Sequence, residues 1–539
     1  MNPILAATPT LSEGTRAPQR WSRWCCPLHF MSGAFSPDRS PRLAAAGAPS
    51  GPPPSLADIT PKERSSLCRA DASLTAGLYE KIDRDRALVF RNARVITMLG
   101  TDVLTAHDVV VRNARIEAVQ PTGSSLPADA VVVDATGRTL MPGLSDIHAH
   151  PMVAGWAQAF AGMVRDGGDG SQLVLPYELQ LFELLACGIT RIEVMAGCPD
   201  ALWMRDGVKS GTLVGPTMTV GSPIVDGAPI IHSPLMTYGV GDLEGGRRAG
   251  EQLADMGFDF AKPYSNLPAE GYEGLMEVCQ RRGVRVMGHV PIAVGVEAAI
   301  RRGQQGIAHV AELFYNERGP ERRDAARRER LVRLMAEHGT WLHGTAAVSH
   351  RIEVIGGRLP MDAPDWDHMS TLHKALLAPD SPLLAMYRNN PDKQYLYDET
   401  YALSCQSIAA AHRAGVRVLT GTDYPNPTLV AGHSLHEELV RLTQHCGLVP
   451  HEALHNSTRL AAQYHGEGAA DGTVSVGGRA DLLLLDADPL QDIHATRRIQ
   501  SVLAGQHLLR EPALRDGFAR IKAAYAAMPP VVLQMPKLT

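Results

Sequence analysis

The sequence predicts an α/β protein: a parallel (β/α)8 barrel of the TIM type, carrying a small β-sandwich domain built from both ends of the chain. Two observations predict it. Between residues 142 and 470, apolar strand-like runs alternate with amphipathic helix-like runs. The alternation repeats about eight times, as a barrel of strand–helix crossovers requires. Runs of another texture flank it at 76–141 and 471–511: short, β-rich and separated by turn residues, as in "ALVFRNARVITM", "DVVVRNARIEAVQ" and "GTVSVGGRADLLLLDADPL". These two flanks pair with each other into one domain.

The elements follow in chain order. Residues 1–75 are rich in Pro, Ser, Arg and Ala, show no periodicity and lack the apolar run of a secretory signal. They read as a disordered extension or an over-long start; a transit peptide fits less well. The barrel begins at "LMPGLSDIHAH". Its further strand candidates are "GITRIEVMAG", "VGPTMTVGSPI", "GFDFAKPY", "GVRVMGHV", "QGIAHV", "GTWLHGTA" and "GVRVLTGTDYP". "PAEGYEGLMEVCQRR", "AVGVEAAIRRG" and "SCQSIAAAHRAG" are helices between them, and "RRDAARRERLVRLMAEHG" is a charged helix solvated on one face. Residues 512–539 read as a C-terminal tail.

Composition limits the function classes. Apolar content of 45% and charge of 20% suit a globular chain with an ample core. A net charge of −5 with both signs mixed gives no reason to expect nucleic acid or a membrane surface as partner. The eight cysteines are scattered and form no C-x-x-C, which suits reduced thiols of a cytoplasmic protein. No apolar run approaches the length of a membrane span. No P-loop, dinucleotide fingerprint or Ser-His-Asp elbow is present.

In a barrel of this kind chemistry gathers at the C-terminal ends of the strands. Those ends carry His148 and His150 in "DIHAH", Lys262 in "DFAKP", His289 in "RVMGH", His309 in "GIAH" and Asp423 in "TGTD". Residues at i and i+2 of a strand share a face, so His148 and His150 point together into the mouth. Each residue also has an ordinary role: a hydrogen-bonded histidine, a helix-capping Asp, a lysine reaching solvent. Together, four imidazoles and a carboxylate on one rim suit zinc or a similar divalent ion. Tyr264, His232 and His343 are candidate substrate contacts, while His436 more simply caps or packs at its helix start.

The motifs "LMPGLSDIHAHP", "GFDFAKPYSNLPAEGYEGLMEVCQRRGVRVMGHVP", "GIAHV", "TGTDYPNP", "SLHEELVRLTQHCGLVPHEALHNSTRLAA" and "GTVSVGGRADLLLLDADPLQDI" resemble the amidohydrolase superfamily. The likeness is to its imidazolonepropionase-like and prolidase-like branch, and it spans roughly residues 85–510. It implies a centre of two divalent ions, zinc by preference. His148 and His150 would hold the more buried ion, and His289 and His309 the more exposed one. A carbon dioxide-derived carbamate on Lys262 would bridge them, and Asp423 would bind the first ion. It further implies hydrolysis of a C–N bond, amide or peptide-like, by attack of a bridging hydroxide with Asp423 as general base and then acid. A deaminase, a cyclic-amide hydrolase or an Xaa-Pro dipeptidase on the same barrel are alternatives. An inactive scaffold is disfavoured because all six ligand positions are filled. A small-molecule substrate and a homo-oligomeric state are implied with them.

Three stretches depart from the family's pattern. The second strand carries Glu193 and Val194 where relatives usually have Arg-Asp. "GSPIVDGAPIIHSP" replaces a glycine-rich turn, and Ala308 precedes His309 where Glu is common. These positions face substrate or support the ligands, so they bear on the substrate more than on the metal.

Overall fold

The computed structural model describes residues 74–151, 177–227 and 237–527, apart from 362–364, 370–373, 376–377, 379–380, 382–383, 386–387, 390–393 and 427. The N-terminal extension falls almost wholly outside this range.

The chain enters the small domain through six strands: β1 (Glu80–Lys81), β2 (Leu88–Ile96), β3 (Val103–Arg112), β4 (Arg115–Pro121), β5 (Val131–Asp134) and β6 (Thr139–Pro142). Gly143 then turns it into the barrel. A Cβ there would fall 2.1 Å from the Thr190 hydroxyl, so the Thr190 side chain leaves room only for glycine. The wall is formed by β7 (Leu144–Ala149), β8 (Ile189–Val194), β9 (Thr217–Gly227), β10 (Thr237–Val240), β11 (Phe260–Pro263), β12 (Arg285–Gly288), β13 (Gly306–Ile307), β14 (Trp341–His343) and β15 (Val418–Leu419). The order is β7-β8-β9-β11-β12-β13-β14-β15, all parallel, with β10 added to the far half of β9. The wall closes where the Ile147 and His150 N–H groups donate to the Thr420 and Tyr424 carbonyls, both at 2.9 Å. This is the expected eight-stranded barrel.

After the barrel the chain returns to the small domain with β16 (Leu482–Leu485), β17 (Ile499–Ala504) and β18 (His507–Arg510). The nine-stranded sheet runs β1-β18-β17-β16-β6-β2-β3-β4, with β5 on β2. The three C-terminal strands therefore sit as a block between β1 and β6, so both chain ends build one sheet, as the sequence predicts. Leu88, Phe90, Val109, Leu140, Leu482, Leu484, Leu503 and Leu508 share one buried cluster, the core of the small domain, while Leu483, Leu485, Val502 and Leu509 alternate to the other face and join the barrel's core. Residues 511–527 form a helix that packs on the helix Tyr177–Ala186 through Leu514, Gly517, Ile521 and Tyr525. No helix among the described residues is long and apolar enough to cross a membrane.

Inside the barrel, Phe260 and Met287 lie two residues before Lys262 and His289, on the same strand face. They join Ile147, Leu419, Leu460 and Tyr464 in a buried apolar cluster. This layer is the floor on which the polar residues of the mouth stand.

Candidate metal centre

β7 carries His148 near its end and His150 just past it, β11 carries Lys262, and the residues just past β12, β13 and β15 supply His289, His309 and Asp423. The barrel brings all six together. Five of them are 0–1% exposed and His309 is 2%. Asp423 Oδ1 lies 3.2 Å from His148 Nε2 and 2.9 Å from His150 Nε2, and its Oδ2 lies 3.7 Å from His309 Nε2. Ligand-type atoms of His148, His309 and Asp423 fall within 4.8 Å of one another. The His289 and His309 rings are 4.9 Å apart, and His148 and His309 4.3 Å.

The backbone is bent to achieve this. His309 and Asp423 hold left-handed conformations, with φ of 71° and 67°. Such conformations cost non-glycine residues on the order of 1 kcal/mol or more and gather at functional sites. Asp423 is pinned there by its N–H, which donates to the His148 carbonyl at 2.7 Å.

A second layer fixes the rings. His289 Nδ1 meets Glu312 Oε1 at 2.7 Å, and His309 Nδ1 meets Thr345 Oγ1 at 3.0 Å. Asp146 accepts from the His148 N–H at 3.2 Å, and from the Thr422 N–H and hydroxyl at 2.9 and 2.6 Å. The Asn426 amide donates to Asp423 Oδ2. Glu312, Thr345 and Asp146 escaped sequence reasoning. The only signal was their closeness in sequence to His309, to "HG" after β14, and to the H-x-H.

The residues fit a cation. His148, His289 and His309 each keep a buried Nε2 with no hydrogen bond. Buried polar atoms are rarely left so, and a cation is one way to satisfy them. Burial, and then the neighbouring Lys262 and histidine charges, holds all four imidazoles well below the ordinary histidine range. They are neutral at neutral pH, the form that ligates metals. Burial pushes the Asp423 carboxyl well above the ordinary carboxylate range, opposed by Lys262 and Asn426.

The three candidate substrate contacts differ in placement. Tyr264 is 3% exposed, with its ring 4.3 Å from that of His289. His343 sits behind the centre, between His148 and Tyr464. His232 lies outside the described residues. His436 is buried and bonds Thr496 Oγ1 through Nδ1 at 3.0 Å, a packing role. A cleft of about 800 Å³ opens at the opposite end of the barrel, beside Arg84, Arg205 and Arg479. None of the six mouth residues lines it.

The profile of the Amidohydrolase family matches residues 139–506. Imidazolonepropionase of Chromobacterium violaceum is 26% identical over 433 residues, which is 74% of this chain and 91% of that enzyme. Adenine deaminase of Ruegeria sp. is 27% identical over 229 residues, 37% of this chain and 38% of the relative. Among solved structures, bottromycin amidohydrolase superposes with a TM-score of 0.64 at 24% identity, covering 88% of this chain and 99% of its own. An Xaa-Pro dipeptidase with bound methionine superposes at 0.57 and 16% identity, covering 79% and 100%. At these identities the two structures establish a shared fold.

Proposed function

Because the chain belongs to the amidohydrolase family, and resembles its imidazolonepropionase-like and prolidase-like members, we propose that it hydrolyses an amide or peptide-like C–N bond of a small molecule. The observation that carries this reading is the buried set of four neutral imidazoles, Lys262 and Asp423 at the barrel mouth. His148, His150 and Asp423 would hold one divalent ion, and His289 and His309 a second. Lys262, converted to a carbamate, would bridge them, and zinc suits these donors. When bound, such ions polarise a carbonyl and bring water to a hydroxide-like state near neutral pH.

The chain's own residues do the rest. Glu312 and Thr345 aim the His289 and His309 rings, and Asp146 holds the strand that carries His148. Asp423 Oδ1 points at His148 and His150, while Asn426 holds Oδ2. A carboxyl raised by burial accepts a proton readily. Asp423 would take it from the attacking water and pass it to the leaving nitrogen. Burial of the whole set excludes bulk water and strengthens each of these interactions. Tyr264, its ring tilted against that of His289 at 4.3 Å, would meet the substrate.

A second reading is favoured by the sequence relatives: opening of a cyclic amide, or deamination, on the same residues. One experiment separates the readings. Purified protein is incubated with N-acyl amino acids, Xaa-Pro dipeptides, aryl amides, cyclic amides and aminopurines, and products are read by mass spectrometry. Asp423→Asn is the paired control. Linear amine release that is lost in the control supports the first reading. Ring-opened or deaminated product moves the assignment to the second.

A further inference from the structure

Another set of ligand-type atoms lies away from the mouth, on the outer side of the barrel. Glu183 stands on the helix Tyr177–Ala186, His368 ends the short turn Trp366–His368, and His433 opens the helix His433–Gln444. Glu183 Oε1 lies 3.3 Å from His368 Nδ1 and 3.9 Å from His433 Nε2. The set falls within 4.8 Å. Glu183 is 1% exposed at its side chain, His368 9% and His433 12%.

These three atoms are all buried, and none makes a hydrogen bond of acceptable geometry. Glu183 Oε1 and His368 Nδ1 are close enough to pair as ions, and a cation shared with His433 Nε2 would satisfy all three atoms at once. Two imidazoles and a carboxylate are the donors of many zinc sites. The surroundings support that use. His433 turns its other nitrogen, Nδ1, to Asp365 Oδ1 at 3.3 Å, and Arg497 holds Asp365 Oδ2 at 3.3 Å. A carboxylate on Nδ1–H leaves Nε2 with its lone pair facing the set, the arrangement that orients metal-bound histidines. Phe518, on the helix Glu511–Ala527, covers the His368 and His433 rings at 5.2 and 5.5 Å.

We propose that Glu183, His368 and His433 hold a divalent transition-metal ion, zinc by its donor set, as a staple on the outer wall of the barrel. The site shares no residue with the mouth. It ties together the first barrel helix, the segment that follows β14 and the helix after the last strand, beneath the C-terminal helix. Three protein ligands leave one position for water.

The test is metal stoichiometry, which does not depend on finding a substrate. Full-length protein is saturated with zinc, passed through a desalting column and analysed for zinc per chain. Three variants accompany the wild type: Glu183→Gln, His368→Ala with His433→Ala, and His148→Ala with His150→Ala. The first two are expected to lose one ion per chain relative to wild type. The mouth variant is expected to keep the ion they lose. Cobalt bound to the mouth variant should give visible absorption that disappears when His368→Ala is added. Should the outer double variant fail to fold, His368→Gln alone should weaken zinc at this site at least ~10-fold in competition with a chelator. Unchanged zinc stoichiometry in the outer variants, or unchanged affinity in His368→Gln, would overturn the proposal.

Discussion

His343 and His148 face each other Nδ1 to Nδ1 across 3.4 Å behind the candidate centre. Both rings are neutral at neutral pH, since burial lowers His343 to about 3 and His148 well below its ordinary value. The remaining contacts decide which nitrogen carries the proton. Tyr464 donates its hydroxyl proton to Glu193 Oε1 at 3.2 Å, so its oxygen accepts from His343 Nε2–H, also at 3.2 Å. His343 Nδ1 is then bare and accepts from His148 Nδ1–H. That leaves the His148 lone pair on Nε2, toward Asp423, where a cation would sit.

His343→Leu removes the acceptor that sets this tautomer. The variant should fold and bind zinc ~10–100-fold more weakly, the usual penalty for losing such support. Competition with a chromogenic chelator measures it. Tyr464→Phe should move affinity the same way by less. Wild-type affinity in His343→Leu would reduce the contact to packing.

Asp423→Asn keeps the side chain's shape and removes its proton acceptor. Turnover on any substrate found should fall at least ~100-fold, in the range general acid–base groups supply. The melting curve should change little. Steady-state rates of the zinc-loaded variant decide it, and retained turnover would transfer the proton to another group.

The barrel, the composite small domain and the convergence at the mouth were all legible in the sequence. Strand–helix alternation and strand-end position carry that information, because a parallel barrel puts every strand's C-terminal end on one rim. The support shell was not legible. Glu193 reads only as a departure from a family pattern, yet it ends the chain of contacts from His148 through His343 and Tyr464. Tyr464 lies on a helix more than a hundred residues after His343, and no local period announces such a contact. The Glu183, His368 and His433 set was invisible for the same reason: its members come from three separate segments with no shared spacing.

Glu193 also yields a pH prediction. Burial pushes its carboxyl up to about 8 from an ordinary 4.5. The native state therefore holds a proton that the unfolded chain releases above its ordinary value. Stability from this group is full below that value, falls as pH rises toward about 8, and is flat beyond. Glu193→Gln does not titrate. In chelator-treated protein, its stability relative to wild type should rise across this window, by a few kcal/mol as an order of magnitude. Urea unfolding at several pH values measures it. A constant difference would mean that Glu193 is already ionised in the native state.

Gly421 is held by the strand beside it. A Cβ there would lie 2.7 Å from His148 Cβ and 3.0 Å from its backbone nitrogen. Gly421→Ala must push the H-x-H strand away from Asp423. A loss of ~1–3 kcal/mol in unfolding free energy is expected, as for overpacked cores, together with weaker zinc binding. Denaturant unfolding and zinc titration on the same preparation check both. Unchanged values would show that this corner of the barrel can yield.

Lys262 decides between a one-ion and a two-ion centre. It is 1% exposed on β11, and its N–H donates to Ser222 Oγ at 2.9 Å, which sets the strand in register beneath the histidines. An ammonium has no lone pair to offer a cation, so the lysine can ligate only after losing its proton and adding carbon dioxide. Metal-stripped protein reloaded with zinc in carbon dioxide-free buffer should therefore recover little turnover, and bicarbonate should restore it. Lys262→Ala should be inactive with or without bicarbonate. Recovery that ignores bicarbonate would leave Lys262 as a buried cation beside the site. A single ion held by the histidines and Asp423 would then suffice.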